Sequence, residues 1–160
     1  MLSGLTVEQS QRIECLLSDL LVRAEAEAIF LCNKGGYILA NVAVERYAHN
    51  DNIAALAAGS FYATREIARL IGEPEFRSVF HQGDHKNLYM QNTPMDLLVV
   101  VVFGEQSNPG LVRFCANETC LMLDEELRNS GDGALVQAAL QAADISINAD
   151  GQMFNVVAGR

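Results

Sequence analysis

The chain has 160 residues, half of them apolar, with 11 Lys and Arg against 20 Asp and Glu and a formal net charge of −9. That composition is ample for one folded core and argues against disorder. The negative balance repels phosphate backbones and anionic lipid, which excludes a nucleic-acid binder on charge grounds. No run of about eighteen apolar residues is present to span a bilayer. The opening MLSGLTVEQSQRIE lacks the basic, apolar, small order of a secretory leader, so a cytoplasmic protein is expected. Cys15, Cys32, Cys115 and Cys120 sit among apolar neighbours without a C-x-x-C pair, the pattern of buried free thiols rather than disulfides or a zinc site.

Taken in order, Thr6 and Gln9 form a capping-box signature ahead of Ile13, Leu16, Leu17, Leu20 and Leu21, which predicts a first helix from Val7 to about Arg23. Glu25 to Asn33 is apolar at nearly every position, as a strand covered on both faces requires. Asn33-Lys34-Gly35-Gly36 then supplies a tight turn, and Tyr37 to Val42 returns as the partner strand. Those glycines do not make a phosphate loop, because G-x-x-x-x-G-K-[ST] is absent and no helix opens after Gly36.

Asn52 to Phe76 dominates the chain. Asp51 or Asn52 is the expected N-cap, and Gly72-Glu73-Pro74 the stop. Leu56, Ser60, Ala63, Ile67 and Leu70 recur at helical spacing and are expected to cover a sheet. Ala54, Ala58, Phe61, Arg65 and Ala68 form a second stripe, and Tyr62, Glu66 and Arg69 a third. A helix so rich in small and apolar residues outside its expected core face is suited to meeting another chain.

Phe76 to Gly83 reads as irregular, and Lys86 to Asn92 as an exposed edge strand. Met95 to Phe103, with successive valines, is expected in mid-sheet. Leu111 to Cys115 is expected as a further strand, with Asn117 capping a helix through Leu127 and a short helix at Ala134 to Ala143. No reliable period follows Asp144. His81 and His85 lack a third ligand, and Asp124, Glu125 and Glu126 read as a solvated helical face. Helix, two strands, helix, three strands, helix makes one antiparallel α/β sandwich, with no catalytic set, metal or cofactor expected.

ALAAGSFYATREIARLIGEPEF, FHQG at Phe80 to Gly83, LYM at Leu88 to Met90, VVVVFG at Val99 to Gly104, GLVRF at Gly110 to Phe114 and the hairpin FLCNKGGYILA together resemble the Roadblock/dynein light chain family over about residues 7–130. The likeness is greatest to its bacterial MglB branch, regulators of a small Ras-like GTPase of the MglA type. The resemblance implies a profilin-like α-β-α sandwich: a five-stranded antiparallel sheet with the central helix on one face and the N- and C-terminal helices on the other. It implies a Roadblock domain over 1–130 followed by an extension over 131–160. It further implies a homodimer joined through sheet edges and paired central helices, with Ala54, Ala58, Leu88, Tyr89 and Met90 at the dimer interface and Phe61, Tyr62, Arg65, Glu66 and Arg69 facing the GTPase. It implies stimulation by positioning the GTPase's own residues, with Arg65 or Arg69 as an arginine finger the alternative. The expected role is non-catalytic; the alternatives are an adaptor subunit of a larger complex and a small-molecule sensor.

Overall fold

The computed structural model describes residues 5–129 and, as backbone alone, 145–147 and 153–155. Its elements are α1 (Val7–Arg23), β1 (Ala28–Cys32), β2 (Ile38–Ala43), α2 (Asn50–Leu70), β3 (Ser78–Gln82), β4 (Asn87–Asn92), β5 (Leu98–Phe103) and α3 (Pro109–Asn129). β6 (Ile145–Ile147) and β7 (Met153–Asn155) pair as a separate antiparallel hairpin, an element absent from the sequence expectation. The expected helix at 134–143 and the boundary between domain and extension lie outside the described residues.

The main sheet has five antiparallel strands in the order β2-β1-β5-β4-β3. Alternation along the strands sends side chains to opposite faces. Ile29, Leu31, Val99, Val101 and Phe103 meet Ile13, Leu17 and Leu20 of α1 and Val112, Ala116 and Leu123 of α3. Ala28, Phe30, Leu98, Val100 and Val102 meet α2 on the other face. The expected sandwich is therefore present, α2 alone on one side and α1 with α3 on the other.

Local chemistry explains the boundaries. Thr6 Oγ1 accepts from the Gln9 N–H at 3.2 Å and the Gln9 side chain accepts from the Thr6 N–H at 2.7 Å, a complete capping box. α2 ends as expected: Gly72 adopts φ +80°, Glu73 N–H donates to the Ala68 carbonyl at 2.9 Å and Gly72 N–H to Arg69 at 3.3 Å, a Schellman closure. Its start differs, because the N-cap position is His49 and no side chain caps it.

Three strand assignments are corrected. Lys86 to Asn92 is not an edge: β4 is bonded to β5 on one side and to β3 on the other. The margin on that side is β3, in a stretch that read as irregular because its alternation is short and mostly polar. Leu111 to Cys115 is helical, within α3, and Asn117 lies mid-helix. The true cap is Asn108, whose side-chain oxygen accepts from the Leu111 N–H at 3.0 Å ahead of Pro109, a residue suited to the first helical position. Cys32, Cys115 and Cys120 are buried, but Cys15 is exposed.

Candidate interaction face on the central helix

α2 turns the opposite way from the expected stripe. Its buried residues are Ala54, Ala57, Ala58, Phe61 and Ala68, whereas Leu56 is 74% exposed, Ile67 52% and Leu70 70%. The sheet face below explains the choice. Phe30, Met90, Leu98 and Val100 are large and fully buried, so they fill the space under the helix and admit mostly methyl groups from above. Small residues bring α2 close to its own sheet, not to a partner. Gly36 shows the same closeness, since a Cβ there would lie 2.4 Å from the Ala55 Cα.

Several expected interface residues are therefore inside the protomer. Ala54, Ala58, Phe61, Tyr89 and Met90 are buried in the core, and Leu88 is half-buried against the α2-side cluster, so these side chains are not available as a free surface. At about 100° per residue, Leu56, Gly59, Ser60, Ala63, Ile67 and Leu70 instead form one continuous outward stripe. Tyr62, Glu66 and Arg69 run beside it.

The flanking residues differ in freedom. Among the described residues Arg69 pairs only with Glu66 on its own helix, with Nε to Oε1 at 3.0 Å, and both are exposed. Arg65 is held by two carboxylates, Nη1 to Asp96 Oδ1 at 2.9 Å and Nη2 to Glu75 Oε2 at 3.3 Å. Its guanidinium carbon also lies 5.5 Å from the Tyr62 ring centroid, within cation–π range. Asp96 further accepts from Asn92 Nδ2 at 3.0 Å and pairs with Lys34, gathering the β1–β2 turn, α2 and the β4–β5 turn at one carboxylate. Burial pushes the Asp96 carboxyl up, but hydrogen bonds from Lys34 and Asn92 and the charges of Lys34 and Arg65 outweigh it and hold the group below its ordinary value. Burial pushes the Tyr62 phenol well above its ordinary range. The tether through Asp96 was missed from sequence; a lone Asp in a T-P-M-D turn carries no sign of partners so remote along the chain.

Burial pushes the Cys32 and Cys120 thiols up to about 12, so neither is a thiolate nucleophile near neutrality. Among the described residues, no group of His, Cys, Asp and Glu is arranged to hold a metal ion, and no helix is long and apolar enough to cross a membrane. What this face offers is an apolar stripe flanked by a charged pair.

The Roadblock/LC7 domain model matches residues 12–103. Among solved structures, the gliding protein MglB from Thermus thermophilus superposes with a TM-score of 0.72 at 27% identity, over 76% of this chain and 93% of that one. Myxococcus xanthus MglB gives a TM-score of 0.65 at 30% identity, over 72% and 91%. Acanthamoeba castellanii profilin II, at 13% identity and a TM-score of 0.51 over 70% and 97%, shares the fold alone. No curated protein matches the chain.

Proposed function

The chain belongs to the Roadblock/LC7 domain family, and from that membership we propose that it is a homodimeric, non-catalytic regulator of a small Ras-like GTPase. The observation that carries this is the outward apolar stripe of α2 from Leu56 to Leu70, which none of the described residues covers. In the proposed dimer two copies of α2 lie side by side and β3 strands meet at the sheet margin. An isologous arrangement repeats each residue twice, so Tyr62, Glu66 and Arg69 of both copies frame one docking bed.

Arg65 contributes by bracing that bed rather than by reaching into a nucleotide site, because two carboxylates of its own chain hold it. Arg69 has only a surface pair to break, and such pairs are worth little. It is the guanidinium better placed to contact a GTPase. The regulator then acts by orienting the GTPase's own hydrolytic residues, with Arg69 steadying the contact.

The experiment is a titration of the full chain against a Ras-like GTPase loaded with GTP, followed by phosphate release. Binding with faster release is expected. Absence of binding to both nucleotide states would remove the proposal, and binding without a change in hydrolysis would make the protein an adaptor.

A further inference from the structure

β2 is the second margin of the sheet and, among the described residues, bonds to β1 alone. The Val44 N–H donates to the Glu27 carbonyl at 2.9 Å, just beyond the Ala28–Ala43 pair. In an antiparallel ladder that position makes Ala28–Ala43 a non-hydrogen-bonded pair and Ile29–Val42 a bonded one. The N–H and C=O of Val42 therefore point into the sheet, and those of Asn41 and Ala43 point outward. The register skips at Leu39, a bulge on the turn side of this outward stretch, past which Cys32 still pairs with Ile38.

The composition of this margin is unusual. From Tyr37 to Val44 the sequence YILANVAV contains neither a charge nor a proline, two of the devices by which natural sheets blunt their edges. The opposite margin, β3, follows Arg77 and carries an exposed His81. At its far end β2 leads to Val44, 72% exposed, and to a cavity of about 630 Å³. Its walls carry four carboxylates, Glu25, Glu27, Glu45 and Glu105, against two full cations, Arg46 and Lys86. Lys86 and the Tyr47 hydroxyl already satisfy Glu27, whereas Glu25 and Glu45 make no ion pair among the described residues.

We propose that the β2 margin and this acidic cavity form one docking groove for an extended segment of another protein. The occupant is a short, uncharged, β-branched stretch preceded by Lys or Arg. Paired antiparallel, it bonds to the outward groups of Asn41 and Ala43 and sets its basic residue in the cavity beside Glu25 and Glu45. Backbone bonds supply affinity and the basic head supplies direction. The site is separate from the α2 face and does not depend on the GTPase proposal.

The test uses the full chain and a fluorescein-labelled synthetic peptide, Lys-Arg-Thr-Val-Thr-Val-Thr. Saturable binding by fluorescence anisotropy is expected, weakened by about tenfold or more when the two basic residues are replaced by Glu. Asn41→Pro should weaken it to a similar degree while the chain stays folded, because that N–H bonds to nothing among the described residues and proline is accepted on the outer side of an edge strand. On the wild-type chain, amide exchange at Asn41 and Ala43 should be fast alone and slow with peptide. No saturable binding, equal binding of the acidic peptide, or unchanged binding by Asn41→Pro overturns the proposal. So does slow exchange without peptide: if independent of dilution, the chain covers its own margin; if lost on dilution, a second copy does.

Discussion

The Arg65 guanidinium lies 2.9 Å from the Asp96 carboxylate and ties the central helix to the turn between β4 and β5. Asp96 sits at φ +64°, where Asn and Asp are the tolerated non-glycine residues. Asp96→Asn therefore keeps the backbone and removes the charge shared by Lys34 and Arg65. Asp96 and Arg65 are about a third exposed and Lys34 about half, so solvent screens the pairs, and a loss of about 1 kcal/mol is expected in urea denaturation. Arg65→Ala should lower stability similarly, which makes it a poor isolated probe of partner binding.

The same carboxylate gives a pH dependence. Its folded-state pKa lies below the unfolded value, so its contribution is present above the unfolded pKa of about 4 and is lost as pH falls through the folded value. Urea midpoints measured from pH 6 to pH 3 should fall more steeply for the wild type than for Asp96→Asn.

Gly36 combines φ +80° with a Cβ position 2.4 Å from the Ala55 backbone. Gly36→Ala meets both the left-handed penalty and a clash that backbone must relieve. A loss of about 2–4 kcal/mol is expected in a thermal melt. Gly72→Ala, at the same φ with open space around it, should lose only the first part, about 1–2 kcal/mol.

Leu56 and Phe61 separate the two faces of α2. Leu56→Asp places a charge in solvent, so the protomer should retain its circular dichroism spectrum while sedimentation shows a dimer weakened by about tenfold or more. Phe61→Asp buries an unpaired carboxylate at several kcal/mol, on the order of a domain's whole stability, and should not fold.

Arg69→Ala with Glu66→Ala removes an exposed pair together. Unchanged melting with weaker GTPase binding is the expected outcome; unchanged affinity would place the contact elsewhere on the face.

Much of the fold was written in short-range patterns. The Thr6–Gln9 box, the Asn33–Gly36 turn, the valine run of β5 and the Gly72 stop each act within a few residues, and each stands where expected. The edge strand failed because SVFHQ is short and mostly polar, and the last helix because Leu111 to Cys115 is as apolar as a strand until Asn108 and Pro109 are taken as a cap.

The orientation of α2 belongs to the tertiary structure. Periodicity tells which residues share a face, and α2 has two faces that are both apolar enough to bury. Which one turns inward depends on volume left by Phe30, Met90, Leu98 and Val100 across the gap, and these contacts are set by close packing between segments far apart in the chain. The sequence alone determined that one helix would present an apolar surface to solvent. Only the packed sheet beneath it decided that the surface is Leu56, Ile67 and Leu70, because four alanines and Phe61 fill the gap under the helix.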